Sequence, residues 1–270
     1  MLGSGFMLRI LISILLLFSL TACSFDDGKG SSSESDIPSS AVENDENQSE
    51  EPSDEEGSEE EHSQESLLNE VKDMIQVDFE VQLPSSLPIE EGHFLSAIAT
   101  SDHMSYEVAF FEVNEPIAIN DEKLKNEEER WVVKGKKYES SSEANEEVGY
   151  QPIQDGMPEI DLGHGITGYE DAGAGSVFIT WHEGRWSFTM RSQNQEEGIE
   201  KGERLAAKIV DKLEEQLLPV PHQNGAGIFS STENENHASN RMSWQEEQVV
   251  YEVYGNEALE LIAIITEEFH

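Results

Sequence analysis

Apolar and polar residues follow two periodicities along this chain, and each periodicity predicts one kind of secondary structure. Helical spacing opens the folded part, with apolar residues at Leu67, Leu68, Val71, Met74 and Ile75. The serines within 63–66 are candidate N-caps for this helix. Alternation with a period of two predicts strands at 77–83, near 94–100 and at 105–113. The folded part is therefore expected to begin with one helix and three strands.

The middle of the chain carries weaker signals. An acidic loop is expected around 121–129. The apolar residues from Trp131, the lysines at 134–137 and then Tyr138 predict a short hairpin with its turn at the lysines. Glycines spread through 149–175 indicate a long irregular stretch with one short strand.

The segment 177–190 has the pattern of an aromatic β-hairpin. With a two-residue turn at Glu183 and Gly184, Trp181 would pair with Trp186, and each pair on that face would be apolar. Glycine at the second turn position suits the positive backbone angles that tight hairpins require. One face of this hairpin is therefore expected to pack, and the other to be wetter.

A similar pattern recurs nearer the C-terminus. With a turn at Glu246 and Glu247, Trp244 would pair with Val249, and the apolar face would again be continuous. The correspondence of this hairpin with the one at 177–190 favours two repeated hairpin-helix units. Chance similarity between two short amphipathic hairpins explains it equally well.

Helical patterns follow both hairpins. The first is expected to stop at Pro219 and has apolar residues at every fourth position: Leu205, Ile209, Leu213 and Leu217. The second covers 258–269, where the alternation also fits a strand. Strands with helices packed on one face indicate an α+β domain with a mostly antiparallel sheet. This domain is expected at 67–270, as one core or as two subdomains joined near 148–161.

The hairpin-helix region, about 175–269, has a tryptophan in the first strand, an aromatic residue in the second and a helix after them. In this it loosely resembles a repeated domain of unknown function in envelope proteins of spore-forming bacteria. It is also faintly similar to the curved half-barrel of lipoprotein carriers. Both resemblances rest on a few aromatic positions, and they imply no catalytic residues.

The N-terminus has the parts of an export signal. Arg9 precedes an apolar run at 10–20, and small residues follow it. The run is shorter than the roughly 20 residues that a transmembrane helix needs. A signal peptide at 1–22 is therefore predicted in place of a membrane-spanning helix.

The residues Leu20, Thr21, Ala22 and Cys23 resemble the lipobox of bacterial lipoproteins at all of its positions. This resemblance implies cleavage before Cys23, acylation of its sulfur, and anchoring on the extracytoplasmic face of the cell membrane. Two or three acyl chains bind a bilayer more firmly than the single chain that stays reversible. The alternative is an ordinary secretory signal with an incidental cysteine.

The segment 23–66 is rich in acids, serine and glycine and nearly free of apolar residues. Such a segment buries too little surface to offset its ordering entropy, so it is expected to be a disordered acidic linker. Cys23 is the one cysteine of the chain, so no disulfide or cysteine nucleophile is expected in the domain.

Acidic residues dominate the composition, with 57 Asp and Glu against 16 Lys and Arg and a formal net charge of −41. Nucleic acids are poor partners for such a surface, because their recognition relies on cations that neutralise phosphates. A local exception is a basic group at Arg130, Lys134, Lys136 and Lys137. It is either a solubilising turn or a contact for an anionic polymer or for the acidic linker.

No motif supports catalysis. Carboxylates are so frequent that none can be singled out as a general acid or base, and the sequence lacks HExxH, P-loop and GxSxG patterns. His164 and His182 are weak metal candidates that would share a site with Glu183. No catalytic residue, metal or cofactor is therefore predicted.

The sequence favours a non-catalytic binding, sensing or scaffolding domain held to the membrane through Cys23. The hairpin aromatics Trp181, Trp186 and Trp244 are the candidate ligand-binding residues, as the lining of a groove for a small apolar ligand or a peptide from an extracytoplasmic protein. The alternative is an envelope enzyme, a hydrolase whose catalytic carboxylates lie hidden in the acidic background.

Overall fold

Ten strands form one sheet in this computed structural model, which describes residues 63–232 and 239–269. In chain order they are β1 (Phe94–Ser101), β2 (Ser105–Val113), β3 (Trp131–Lys137), β4 (Glu159–Asp161), β5 (Thr167–Gly173), β6 (Ser176–Glu183), β7 (Trp186–Gln193), β8 (Gly225–Ser230), β9 (Asn240–Glu246) and β10 (Val249–Gly255). Their spatial order is β1-β2-β3-β10-β9-β8-β7-β6-β5-β4. Neighbouring strands are antiparallel, except for the parallel pair β7 and β8.

The same residues contain α1 (Gln64–Met74), α2 (Ser141–Glu147), α3 (Glu196–Leu213), α4 (Ala258–Glu268) and a 3-10 helix at Glu122–Asn126. The fold is therefore α+β with a mostly antiparallel sheet, as predicted. Helix α1 begins before the expected domain boundary at 67, because the Ser63 hydroxyl caps it by accepting a hydrogen bond from the Ser66 N–H at 3.1 Å. The C-terminal segment, for which a strand was an alternative, is the helix α4.

The chain forms the two edges of the sheet first and its centre last. After β3 it continues to β4 at the far edge and returns through β5, β6 and β7. Helix α3 makes the crossover that the parallel pair β7 and β8 requires. Strand β10 then pairs with β3, with Val253 opposite Val133. One sheet thus contains strands from both sides of residues 148–161.

The main core lies on the face of the sheet that α1, α3 and α4 cover. Helix α3 contributes Ile209 and Val210, and α4 contributes Leu261 and Ile265, all of them fully buried. Apolar residues at helical spacing explain this packing, because they bring one stripe of each helix against the sheet. Burial of this stripe is the main stabilising contribution of both helices.

Helix α2 lies on the opposite face, so the expected placement of all helices on one face is wrong. Its Ala144 forms a second small cluster with Val148, Ala226 and Val250. Val250 and its neighbour Tyr251, which belongs to the main core, point to opposite faces because side chains alternate along a strand. The sheet is therefore covered locally on both sides.

Residues 76–91, called the crossing segment below, do not form the strand predicted at 77–83. The segment passes over the main core, where Phe79 stacks on Tyr106 with ring centroids 6.0 Å apart. Tyr106 Oη donates to the carbonyl of Gln82 at 2.7 Å, and Tyr251 Oη donates to the carbonyl of Glu80 at 2.9 Å. Side chains of the sheet thus replace the ladder partners that a strand would have.

Two predictions for the middle of the chain are also wrong. Residues 131–137 form the single strand β3, which pairs with β2 on one side and β10 on the other, so the expected turn at the lysines does not exist. The glycine-rich stretch 149–175 holds two strands, β4 and β5, where one was expected. Pairing with strands distant in sequence overrides the local turn signal in β3.

Both aromatic hairpins form, but their predicted registers are wrong by two residues. Trp181 pairs with Phe188 in the first hairpin, and Trp244 pairs with Tyr251 in the second. The turns begin one residue later than predicted, at Gly184 with φ 60° and at Glu247 with φ 51°. Because the shift is an even number of residues, the apolar faces stay the same.

Strand β8 has no counterpart in the predicted elements, and its glycines explain how the large aromatics of β7 fit. Gly225 pairs with Trp186, and a Cβ on Gly225 would lie 2.5 Å from the indole ring. Gly227 pairs with Phe188, and a Cβ there would lie 2.6 Å from the phenyl ring. The missing side chains therefore make room for rings that lie across the neighbouring strand.

The predicted signal peptide at 1–22, Cys23 and most of the linker at 23–66 lie outside the described residues. Their roles remain predictions. Among the described residues, no helix is both long enough and apolar enough to cross a bilayer.

Candidate functional site

The three tryptophans proposed as groove lining are buried. Trp181, Trp186 and Trp244 are 0, 4 and 0% exposed. Their indole N–H groups donate within the protein, to the Glu183 carboxylate at 3.0 Å, to the Pro219 carbonyl at 3.1 Å and to a second carboxylate at 3.3 Å. Trp181 and Trp244 are thus core residues, whereas one edge of Trp186 reaches a surface cavity.

This cavity, of about 400 Å³, lies between the turn of the β6–β7 hairpin and the segment that follows α3. Its lining is mostly apolar, with Glu183, Arg185 and Gln216 as the polar side chains that can reach a ligand. Residues 217–221, called the apolar loop below, form one wall. A mostly apolar surface with a few polar groups is typical of a binding site.

Two side chains of the apolar loop project into solvent. Leu217 is 87% exposed and Val220 is 80% exposed. The other large apolar residues that the described part of the chain exposes, Met74 and Met104, are 43 and 44% exposed. Leu217 was expected to lie on the buried face of α3, but that helix ends at Leu213, so the prediction is wrong for this residue.

The backbone of the apolar loop is held by the hairpin beside it. Arg185 Nη1 donates to the carbonyls of Pro221 at 2.9 Å and His222 at 3.2 Å. The Trp186 indole donates to the Pro219 carbonyl, and Leu218 packs against the main core. The exposure of the two flanking apolar side chains is therefore a feature of a fixed backbone.

The polar part of the cavity contains one acidic and one basic side chain, Glu183 and Arg185. Burial raises the pKa of Glu183 above its ordinary value, although the Trp181 indole N–H opposes the shift. The neighbouring Glu214 raises the pKa of Glu183 further, and His164 lowers it. The guanidinium of Arg185 is engaged by backbone carbonyls. A cation brought to this rim would meet Glu183 and the nearby Glu214, with Arg185 as the one cation in the lining.

The equivalent place on the β9–β10 hairpin is covered by the crossing segment. Glu246 Oε1 accepts from the Trp244 indole at 3.3 Å and from Gln82 Nε2 at 2.8 Å. Within the described residues, the hydrogen bond that Glu183 accepts comes from Trp181. Glu183 and Glu246 are both half-buried, and they differ in that a residue of the crossing segment donates to Glu246.

The structure does not bring His164, His182 and Glu183 together as one site. His182 lies on the other face of β6, where its ring contacts Tyr150, with Nδ1 3.3 Å from the tyrosine Oη. His164 lies near Glu183 but pairs with Asp211 at 2.9 Å. The shared histidine site is therefore wrong.

A different group has the spacing of metal ligands. Ligand atoms of Glu90, His93 and Glu112 lie within 4.8 Å of one another. The half-buried arrangement is already satisfied, because the Glu112 carboxylate accepts from His93 Nδ1 at 2.7 Å, from the Glu90 N–H at 2.7 Å and from the Arg130 guanidinium. These contacts form a polar network that connects the residues just before β1 and β3 to Glu112 near the end of β2.

The basic group predicted near 130–137 is largely engaged inside the fold. Arg130 pairs with Glu112, and Lys134 pairs with Glu107 at 2.6 Å. Lys136 Nζ lies 4.7 Å from the ring centroid of Tyr138. These contacts on one strand favour a structural role over a docking surface for an anionic polymer.

Comparisons with protein families, with curated proteins and with solved structures found no match to this chain.

The apolar loop was missed because its leucine continues the helical pattern of α3. A signal against that reading was present in the sequence. Pro219 pushes Leu218 out of the helical region, which places the end of the helix at or before Leu217. The charges do not locate the end at Leu213, because Glu214 and Glu215 lie at the C-terminus of the helix in either case.

Proposed function

We propose that this chain is a lipid-anchored extracytoplasmic lipoprotein whose folded domain binds another envelope protein without covalent chemistry. The lipobox-like residues ending in Cys23 support the anchor, and the acidic segment 23–66 supports a spacer between membrane and domain. The anchor and the linker would hold the folded domain at the outside of the membrane, and the domain would present one binding surface.

The observation that carries the binding role is the exposure of Leu217 and Val220 on a loop with a fixed backbone. Scattered apolar residues are ordinary on protein surfaces. Here the two side chains line the same cavity, and the hydrogen bonds of Arg185 and Trp186 hold the loop between them. Preorganisation of this kind lowers the entropy cost of binding a partner.

The anchor is tested by Cys23→Ala in a bacterium that lipidates exported proteins. We expect the wild-type protein to incorporate labelled palmitate and to enter the detergent phase, and the variant to lose both properties. Thermal unfolding of the variant checks that the domain is intact. Label retained by Cys23→Ala, or a wild-type protein that stays in the aqueous phase, would contradict the anchor.

The binding role is tested by a photo-crosslinking amino acid at position 217 in the full-length protein in cells. Position 104 is the matched control, because Met104 is also an exposed large apolar residue, outside the cavity lining. We expect discrete crosslinked species from 217 and none from 104. The absence of crosslinks at 217, or the same species from both positions, would count against a docking surface.

The second candidate function is the hydrolase, and Glu183 is the observation that favours it. A carboxyl group with a raised pKa beside an apolar cavity is a possible general acid. Turnover of an envelope substrate by the wild-type protein, lost in Glu183→Gln while crosslinking from 217 persists, would favour this candidate.

A further inference from the structure

We infer that the apolar loop receives an extended, basic polypeptide segment, which places apolar side chains against Leu217 and Val220 and a cationic side chain against Glu183. This inference rests on the proposed function, since it names the chemistry of the partner for the same surface. Three features of the molecule support it.

The first feature is the charge around the cavity. Glu183 lines it, Glu214 lies close enough to act on the Glu183 carboxyl, and Gln216 connects the rim to Glu267 by a hydrogen bond. Arg185 also lines the cavity and keeps its positive charge, although its guanidinium donates to two carbonyls. The acidic character of the rim comes from Glu183, Glu214 and Glu267 together, which outnumber this one cation. An apolar surface with an acidic rim complements apolar side chains flanked by lysine or arginine.

The second feature is what covers the other hairpin. There the crossing segment, an extended stretch with alternating apolar residues, lies over the core and donates to Glu246 from Gln82 Nε2. Glu183 occupies the same position relative to Trp181 as Glu246 does relative to Trp244. The protein's own crossing segment is therefore a template for an extended ligand that brings a donor to this carboxylate.

The third feature is the net charge of −41, which decides between possible occupants. A second copy of this chain would bring the same excess of carboxylates to the rim, so self-association is opposed by repulsion. A basic segment would be steered toward the protein at low salt, where the Debye length reaches about 30 Å. A basic polypeptide therefore fits the surface better than another copy does.

The test uses the full-length protein in micelles of a zwitterionic detergent and a fluorescent ten-residue peptide of alternating leucine and lysine. Two control peptides replace lysine by glutamate or leucine by serine. Binding is measured by fluorescence anisotropy with the wild-type protein, Leu217→Ser/Val220→Ser, Glu183→Gln and the exposed-site control Met104→Ser. The two serine variants alter exposed side chains, so unfolding curves serve as a check of folding.

We expect the leucine-lysine peptide to bind most tightly. The double serine variant should weaken that binding at least about tenfold, since it removes both apolar contacts. Glu183→Gln should weaken it about threefold to tenfold and reduce its salt dependence. Met104→Ser should bind like the wild-type protein. A loss of binding in the double serine variant that Met104→Ser does not share distinguishes this site from micelles and from the acidic segment 23–66.

Three results would overturn the inference. Equal binding by the leucine-glutamate peptide, lost in the double serine variant, would leave the docking surface intact and refute the basic partner. Binding of the leucine-lysine peptide that none of the variants changes would place it elsewhere on the acidic chain. No binding by any peptide, with crosslinks still formed at 217, would refute this partner class while the proposed function stands. The absence of both peptide binding and crosslinks at 217 would refute the proposed function as well.

Discussion

The two aromatic hairpins have the same local arrangement and different surroundings. In each, a buried tryptophan donates its indole N–H to the glutamate two residues later, from Trp181 to Glu183 at 3.0 Å and from Trp244 to Glu246 at 3.3 Å. Both glutamates lie at the last position before the turn. The residues of the hairpin itself are therefore enough to specify this arrangement.

The difference lies in what covers each hairpin. The crossing segment closes the second hairpin, with Gln82 donating to Glu246. The first hairpin borders a cavity and the apolar loop, where Leu217 and Val220 are exposed. The two similar positions thus differ in which segment of the chain lies against them, and the proposed docking surface is at the first.

The largest expected effect comes from removing either tryptophan, and it tests whether the two contribute equally to the stability of the core. Trp181→Ala and Trp244→Ala should each lower the free energy of unfolding by about 3–5 kcal/mol, because each removes a fully buried ring and leaves a cavity. Urea unfolding of the full-length protein measures both. A loss below about 1 kcal/mol in either variant would mean that the two hairpins are not equivalent parts of the core.

The packing of the first hairpin depends on a glycine that faces Trp186. Gly225→Ala should cost about 1–3 kcal/mol, because the new methyl group would lie 2.5 Å from the buried indole. Gly173→Ala is the matched control, since a Cβ at that strand position meets nothing within 4 Å. Similar unfolding midpoints for the two variants would show that the close approach is easily relieved.

The cover over the second hairpin can be loosened at one hydrogen bond. Tyr106→Phe removes the donor to the Gln82 carbonyl and should destabilise the protein by about 1 kcal/mol at neutral pH. Faster proteolysis within residues 76–91 should accompany it. An unchanged unfolding curve would mean that side-chain packing alone holds the segment.

The same tyrosine predicts a pH dependence. Burial raises the pKa of Tyr106 above its ordinary value of 10.0, so the folded state favours the neutral phenol. The resulting stabilisation is complete below about pH 10 and declines as the pH rises further. Wild-type protein should thus lose more stability than Tyr106→Phe between pH 9 and about 11. Parallel losses would contradict this assignment.

The smallest effect compares the two glutamates. The raised pKa of Glu183 means that its ionised form is disfavoured in the folded state, so its favourable contribution is present below the ordinary value of 4.5 and is lost as the pH rises. Glu183→Gln should therefore stabilise the protein slightly at pH 7, by roughly a few tenths of a kcal/mol because water screens the half-exposed carboxyl. It should have little effect near pH 4.

Glu246→Gln provides the contrast. It replaces the charged acceptor of the Trp244 and Gln82 hydrogen bonds, so a loss of about 1 kcal/mol at pH 7 is expected. Opposite signs for the two substitutions in urea unfolding at pH 7 would sharpen the comparison. The same sign and size would remove the electrostatic difference between the hairpins.

Strong periodicity made several elements predictable. Helix α1, strands β1 and β2, and helix α4 follow their apolar patterns because a packed face must repeat at the period of the element. The hairpins at 177–190 and 240–253 were also located correctly. Their registers were not, because a shift by two residues keeps every side chain on the same face, and the apolar pattern cannot distinguish the two pairings.

Contacts between distant residues account for the other differences. The crossing segment has the alternation of a strand, but its backbone partners are the hydroxyl groups of Tyr106 and Tyr251. Strand β3 carries a turn-like run of lysines, yet it pairs on one side with the preceding strand β2 and on the other with β10 near the C-terminus. The local pattern predicts an extended conformation, but it does not predict which segment provides the hydrogen-bonding partners.

The sequence by itself determined the α+β class, the helices and strands with clear periodicity, and the positions of both aromatic hairpins. The tertiary structure decided that Trp181 and Trp244 are buried, that Gln82 donates to Glu246, and that Leu217 is exposed. The physical reason is that periodicity is a property of neighbouring residues, and it fixes which face of an element is apolar. Which apolar face is covered depends on where distant segments of the same chain come to lie.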